Sequence, residues 1–252
     1  MKVLITGASN GLGLDFAKKF SSLGYDLILV ARNKDKLEKI KETLDNVEIE
    51  VMDLSAIENV YKLYDKYKGQ VDILINNAGF GVCGNFNDTD LSNELNMIDL
   101  NIKTVHVLTK LFLNDFVNKN SGRILNVASL AAFEPGPLMA TYYATKSYVY
   151  NLSMGIYEEL RRIKSDVKIS ILCPGPTDTG FNERANVKFG VKSLSSKYVT
   201  DYCIDKMFKN KLIIVPSFRM KLAVFANRLL PRKLMIKIIY NIQKSKLENN
   251  KK

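Results

Sequence analysis

Lys2-Val3-Leu4-Ile5-Thr6-Gly7-Ala8-Ser9-Asn10-Gly11-Leu12-Gly13 is the stretch on which the fold turns. Its first five residues, KVLIT, read as a strand, one of several in the chain whose apolar residues do not alternate with polar ones, as in strands covered on both faces. Glycines follow at G-x-x-x-G-x-G spacing, and a helical pattern covers residues 11–23. Glycines after a first strand let the backbone turn tightly, approach a pyrophosphate and pack the next helix close to the sheet. The N-terminus of that helix then offers free N–H groups to phosphate charge. The spacing differs from the common G-x-G-x-x-G fingerprint. A plain βα turn is the alternative, and the strand before with the helix after favours nucleotide binding. Gly7, Ser9, Asn10, Gly11, Leu12 and Gly13 are therefore candidate cofactor-binding positions.

Outward from this turn, short β-branched runs alternate with longer helical patterns. Strands are expected at 2–6, 26–31, 47–51, 71–76, 123–129, 167–173 and 211–215, and helices near 11–23, 33–44, 55–67, 89–118, 140–164 and 196–209. Such alternation predicts an α/β fold, a doubly wound parallel sheet of about seven strands with right-handed crossovers and helices on both faces. The 252 residues are 46% hydrophobic and 25% charged, values that exclude a disordered chain. No repeat and no composition break precedes residue 216, so residues 1–215 read as one domain.

The net charge of +11 is uneven. Residues 216–252 hold ten Lys or Arg and a single acid, Glu248, so the basicity belongs to a C-terminal extension and gives no reason to expect nucleic acid. Cys83, Cys173 and Cys203 are far apart and odd in number, which fits neither a disulfide framework nor a zinc site. No metal is expected. The chain opens on MKVLITG, without a basic stretch and a long apolar run, and has no stretch of about eighteen uncharged apolar residues. A cytoplasmic location is expected, with peripheral contact at the inner membrane surface as a further possibility.

The second strand ends at Ala31-Arg32. An acid there would grip a ribose 2′-OH. A guanidinium can instead pair with a 2′-phosphate, which favours NADP(H) over NAD. A solvated surface Arg is the alternative.

With these residues in view, the sequence resembles a classical short-chain dehydrogenase/reductase. Thr6 to Gly13 matches that family's T-G-x-x-x-G-x-G, and Asn76-Asn77-Ala78-Gly79 its N-N-A-G after strand four. Asn101 matches the Asn of the long fourth-helix region, Ser129 stands at the end of strand five, Tyr142 to Lys146 matches Y-x-x-x-K, and Cys173-Pro174-Gly175 matches the P-G after strand six. The motifs fall in the family's order over residues 2 to about 215. The resemblance implies a Rossmann-type sheet of order 3-2-1-4-5-6-7 and an NAD(P)-dependent oxidoreductase acting on a carbonyl or alcohol. It makes Asn77, Ala78, Gly79, Pro174 and Gly175 cofactor neighbours. Thr177 and Thr179 would hold the carboxamide or the phosphates. Asp53-Leu54 resembles the adenine-binding pair, although Asp53 could equally cap the following helix.

Y-x-x-x-K occurs four times: Tyr64/Lys68, Tyr142/Lys146, Tyr202/Lys206 and Tyr240/Lys244. Context selects the second, which follows a strand ending in Ser and opens a long helix. Tyr143 has Ser147 as its i+4 partner. Residues i and i+4 share a helix face, so phenol and ammonium can serve one site. A Lys⁺ and an oxidised nicotinamide nearby both favour phenolate and are expected to lower the Tyr142 pKa. Tyr142 would then act as acid/base, with Ser129 hydrogen-bonding the same substrate oxygen. By resemblance, Tyr142 and Lys146 also contact the cofactor, Lys146 holding the nicotinamide ribose, and Asn101 positions a water in a proton relay. Taken alone, Ser129 could be a strand-end hydroxyl and Asn101 a helix-kink residue. The lone His106, amid apolar neighbours, is expected to pack structurally, and a Ser-His-Asp reading finds no support.

The leading functional reading is an NADP(H)-dependent carbonyl reductase for a small apolar substrate. A non-catalytic NADP-binding sensor or scaffold on the same fold is the alternative, and an NADP-linked epimerase or dehydratase fits less well. Phe80, Phe133, Leu138, Phe181 and Phe189 suggest an apolar pocket wall. By resemblance, a homodimer or homotetramer would form through the long helices near 102–118 and 140–164. In the extension, Leu234, Met235, Ile238, Ile239 and Ile242 line one helical face, while Lys233, Lys237, Asn241 and Lys244 line another. Residues 217–246 therefore suit an anionic membrane surface, or packing on the protein's own core, a substrate lid or a partner subunit.

Overall fold

In a computed structural model describing residues 1–179, 193–227 and 229–248, the opening apolar run is β1 (Lys2–Thr6), at the centre of a parallel sheet. The other strands are β2 (Asp26–Ala31), β3 (Val47–Val51), β4 (Ile73–Asn76), β5 (Arg123–Val127), β6 (Lys168–Leu172), β7 (Thr177–Asp178), β8 (Leu194–Ser195) and β9 (Ile213–Ile214). Seven of them form the sheet in the order β3-β2-β1-β4-β5-β6-β9, and β7 pairs with β8 outside it. The expected Rossmann-type order is thus present, with β9 as the seventh sheet strand. Val3 stands opposite Leu27 on one side and Ile73 on the other.

Alternate residues of each strand enter different cores. Val3 and Ile5 pack with Phe16 and Phe20 of α1 (Gly11–Ser22), Leu37 of α2 (Lys34–Lys41) and Cys203 of the later helix 196–208. Leu4 faces the opposite layer, with Val60 and Leu63 of α3 (Ile57–Tyr67), Met97 of α4 (Leu91–Ile98) and Phe112 and Phe116 of α5 (Val105–Asn118). Val3, Leu4 and Ile5 are fully buried. This explains why β1 shows no polar alternation: helices cover both of its faces.

The helix expected over 89–118 is not continuous. A six-residue π-helical turn, Asp99–Thr104, separates α4 from α5. Wide turns of this kind commonly mark functional sites. Here the buried Thr104 hydroxyl donates to the Leu54 carbonyl, and the turn carries Asn101 inward. β5 ends at Val127, so Ser129 lies two residues beyond the strand, and its side chain accepts from Ala131 N at 3.1 Å at the start of a 3₁₀ turn, Leu130–Phe133.

α6 (Ala140–Arg162) is tied to the sheet by buried polar groups. Asn126 of β5 donates to Ser153 Oγ of α6 at 2.9 Å and accepts from Asn76 Nδ2 of β4 at 2.9 Å. Asn76 Nδ2 also donates to Thr109 Oγ1 of α5 at 3.0 Å. Losing any of these buried bonds would strand a polar atom, so the chain fixes the rotation of α6 more tightly than apolar contact would. After α6 come α7 (Ser196–Phe208), α8 (Phe218–Asn227) and α9 (Arg232–Glu248). Asn227 donates to Glu134, and Met235, Ile239 and Gln243 are buried.

Asn126→Ala removes the link between β5 and α6. It is expected to lower unfolding free energy by about 1–3 kcal/mol, read from a urea transition. A loss below about 0.5 kcal/mol would show that the network does not hold α6.

Candidate active site

Thr6 ends β1 with its hydroxyl turned toward β4. It accepts from Asn77 N and Ala78 N, both at 3.0 Å, while Asn77 Nδ2 donates back to Thr6 O at 2.9 Å and Gly7 O at 3.2 Å. These four bonds staple the glycine-rich turn to the end of β4. The turn needs its glycines. Gly7 has φ +67°, and a Cβ there would lie 2.9 Å from Ala78 Cα. A Cβ on Gly13 would lie 2.1 Å from Gly7 O. The first turn of α1 therefore rests directly on the loop, and its start, at Asn10, has no side-chain cap. The N–H groups there remain available to an anion.

The turn opens into a cleft of about 720 Å³ at the carboxyl ends of the strands. Gly7, Ser9, Asn10, Gly11 and Leu12 line it, together with Arg32, Asp53 and Leu54. So do Asn77, Ala78, Gly79, Ser129, Tyr142 and Lys146, and then Pro174, Gly175, Thr177 and Thr179. Two of the sequence candidates, Gly13 and Asn101, do not line the cleft. Gly13 acts through its contact with Gly7, as described. Asn101 is buried behind Gly79: its Oδ1 accepts from Phe80 N at 3.1 Å, and its Nδ2 donates to Phe80 O at 2.9 Å and Thr145 Oγ1 at 3.1 Å. Its side chain therefore shapes the wall where β4 leads into the cleft. Its position in the π turn makes it the kink residue as well.

At the β2 end of the cleft, Arg32 Nη1 stands 3.4 Å from Asp53 Oδ2, and both side chains are about half exposed. Asp53 also accepts from Ser55 N at 3.0 Å and Ser55 Oγ at 2.8 Å, which closes a local turn ahead of α3 and leaves the helix cap to Ala56. Burial raises the Asp53 pKa, but the Ser55 hydrogen bonds and the Arg32 charge outweigh it and hold the carboxyl below its ordinary value. Thr177 Oγ1 donates to Gly175 O at 2.9 Å, and Thr179 lies against Gly11.

At the other end, Tyr142 and Lys146 sit one turn apart on α6, and both are buried. Lys146 Nζ donates to Val127 O at 3.0 Å and lies 5.9 Å from the Tyr142 ring centre. Burial drives the Tyr142 pKa up to about 12, against the opposing effect of its hydrogen bond with Ser129. Burial also drives the Lys146 pKa down to about 8. The lowered phenol pKa expected from the sequence, for Lys146 together with an oxidised nicotinamide, is absent in the protein alone, where desolvation dominates. The other three Tyr/Lys pairs are elsewhere. Tyr64 OH bonds Asp115 at 2.9 Å, and Lys206 rides over the Tyr202 ring at 5.3 Å. Tyr240 and Lys244 are exposed on α9.

Several expectations for the substrate wall change. Phe80 lines the cleft, but Phe133 does not: its ring packs edge-on to Tyr150 at 4.9 Å. Leu138 is buried beside the cleft, and its neighbour Met139 lines it instead. Phe181 and Phe189 lie outside the described residues. Tyr143, set aside in the sequence, lines the cleft, and its hydroxyl accepts from Gln243 of α9. Ile239 and Ile242 join Gln243 in that wall. His106 is exposed, with Nδ1 2.7 Å from Tyr148 OH, so it packs on the outer surface rather than in the core. Cys173 is buried at the end of β6, as expected.

The site suits a nicotinamide dinucleotide: its glycine cradle would be blocked by any Cβ, uncapped N–H groups face the turn, and a cation and a carboxylate stand at the far end. Comparison with known proteins agrees. The sequence profile described as "short chain dehydrogenase" matches residues 1–189. An uncharacterized oxidoreductase of Staphylococcus epidermidis is 34% identical over 204 residues, covering 79% of this chain and 86% of the relative. A short-chain dehydrogenase from Sphingobium yanoikuyae in complex with NADPH is 28% identical, with a TM-score of 0.82 over 90% of this chain and 93% of that one. A short-chain dehydrogenase/reductase from Burkholderia phymatum in complex with NAD, 24% identical, shares the fold with a TM-score of 0.83 over 90% and 92% of the two chains. With glycine turn, Asn-Asn-Ala-Gly, Ser129 and the Tyr142/Lys146 pair meeting in one cleft, the chain belongs to the short-chain dehydrogenase family of oxidoreductases.

Proposed function

We propose that the protein is an NADP(H)-dependent oxidoreductase that reduces the carbonyl of a small apolar substrate or oxidises the corresponding alcohol. The observation that carries this reading is the meeting of Ser129, Tyr142 and Lys146 in the cleft that the glycine turn opens. When bound, the nicotinamide nucleotide supplies or accepts the hydride. Tyr142 donates its proton to the substrate oxygen, and Ser129 hydrogen-bonds the same oxygen. Lys146 would hold the nicotinamide ribose, and its buried charge would stabilise developing oxyanion charge, since low dielectric strengthens its effect. Asn101 is a positioning residue that holds the Phe80 backbone at the cleft wall. Glycine-turn N–H groups bind the pyrophosphate.

Preference for the 2′-phosphate rests on Arg32, on the absence of an acid at Ala31, and on the NADPH complex of the Sphingobium relative. The Arg32–Asp53 contact is long and solvent-screened, so a dianionic phosphate competes for the guanidinium at small cost. An apolar substrate is supported by Phe80, Met139, Ile239 and Ile242 in the wall. Exposed Tyr148, Tyr157 and Ile163 on and beside α6 support assembly into a homo-oligomer through α5 and α6.

Tyr142→Phe is expected to lower kcat about 100-fold or more, with NADPH binding retained by fluorescence titration. Turnover above a tenth of the parent would overturn the acid assignment, and nucleotide binding with no turnover of any carbonyl in the unaltered protein would favour a sensor.

Arg32→Ala is expected to weaken NADPH about tenfold or more and NADH little, since a charge-assisted contact is worth about 1.5–3 kcal/mol. Equal wild-type kcat/KM for NADPH and NADH would contradict the phosphate role.

The pH profile carries its own sign. The Tyr142 proton needed for reduction is retained to about pH 12, whereas Lys146 loses its charge as pH rises through about 8. The kcat/KM for NADPH, which reports the free enzyme, should be level below pH 8 and fall above it. A first descending limb near 10 would show that Lys146 keeps an ordinary pKa.

A further inference from the structure

Phe218, Leu222 and Phe225 recur at i, i+4 and i+7 along α8, and Leu229 continues the line just past its end. One stripe of a helix is thereby apolar. It is not packed: these four residues are 80%, 58%, 59% and 72% exposed. Met220 and Asn227 lie on the other side of α8, where Met220 closes on Gly175 and Asn227 donates to Glu134. α8 is thus anchored by one face while its apolar stripe points outward.

α9 divides in the same way. Met235, Ile239 and Gln243 are buried, while Leu234, Ile238 and Ile242 remain about half exposed. The single apolar face read from the sequence is therefore two stripes, one packed and one open. Lys233, Lys237 and Lys244 run along a third face and are exposed. No acidic residue occurs between Pro216 and Ser245.

We propose that the outer face of α8 and α9 docks on the surface of an anionic lipid bilayer. An exposed apolar stripe flanked by lysines and free of acids matches the apolar-down, cation-up arrangement of an interfacial helix. A second copy of this chain is the competing occupant, and charge disfavours it: two faces that carry only cations repel, whereas anionic headgroups attract both. Among the described residues no helix is long and apolar enough to cross a membrane, so the face lies on the bilayer. Ile242 belongs both to the open stripe and to the cleft wall. Docking therefore brings the cleft to the lipid surface, which, if the oxidoreductase reading holds, selects a carbonyl compound that partitions into membranes.

The test is sedimentation of the full chain with vesicles of phosphatidylcholine containing phosphatidylglycerol, against vesicles of phosphatidylcholine alone. Binding is expected on the anionic vesicles at low salt and release as salt rises. The triple variant F218S/L222S/F225S, whose three positions do not line the cleft, should lose binding while keeping its circular dichroism and NADPH affinity. The pair K233Q/K237Q should weaken binding about fivefold per charge removed. Sedimentation does not require turnover, so failure of the enzyme reading leaves this outcome legible. Absence of binding at low salt, binding unchanged in the triple variant, or a dimer that the same triple variant splits would each overturn the proposal.

Discussion

Contact between Gly13 and the carbonyl oxygen of Gly7 is the constraint on which the site depends. A Cβ at Gly13 would lie 2.1 Å from that oxygen, so α1 can start against the loop only because no side chain intervenes. That contact sets where the helix begins, and with it where its unpaired N–H groups point. The Thr6–Asn77 bonds then fix the loop to β4, the strand whose extension carries Ala78, Gly79 and Phe80 into the cleft. Because β1 is flanked by β2 and β4, the chain leaves its neighbours toward opposite layers, and the crevice opens at this point. Tyr142 and Lys146 of α6, the proposed catalytic groups, approach from the β5 side, where Lys146 bonds Val127 O.

Much of this could be read from the residues because it depends on local signals. Strands buried on both faces announce themselves by unbroken apolar runs, and the order of the Ser, Tyr and Lys motifs selects one of four Tyr/Lys pairs. The least legible parts depend on tertiary contact. Asn101 could be read as a kink residue, but the width of the turn at Asp99–Thr104 could not, and there the Thr104 hydroxyl bonds both Asp99 O within the turn and the Leu54 carbonyl fifty residues away. Phe133 looked like a wall residue because it is aromatic and close to the site in sequence, but Tyr150 claims its ring. Tyr143 looked idle because no charged partner stands one turn on. Its partner is Gln243, one hundred residues downstream.

The extension shows the same limit in another form. Periodicity correctly placed Leu234, Met235, Ile238, Ile239 and Ile242 on one side of a helix, yet it could not divide them between protein and surroundings. The division is set by width. A helix resting on a cleft mouth buries a narrow strip, about every fourth residue, and Met235, Ile239 and Gln243 fill it. The signal available in the sequence was Gln243 itself: a polar residue inside an apolar pattern, where a buried amide must have a partner.

Burial also sorts the proton chemistry. In water Tyr and Lys have nearly equal pKa values, near 10. In the cleft burial shifts each toward its neutral form, so the phenol moves up to about 12 and the ammonium moves down to about 8. The two groups, alike in solution, are thereby driven apart, which is how one environment assigns an acid and a labile cation at a single site. On the proposed mechanism, an acid this weak gives up its proton only to an oxygen that has become strongly basic, as a carbonyl oxygen does when it gains hydride. Lys146, buried and held to Val127 O, is still mostly charged below pH 8, where on the proposed mechanism it faces the forming oxyanion. The desolvation that weakens Tyr142 as an acid in the resting protein also strengthens the field of Lys146 on the developing charge. One cause therefore both holds the proton before reaction and favours its transfer during it.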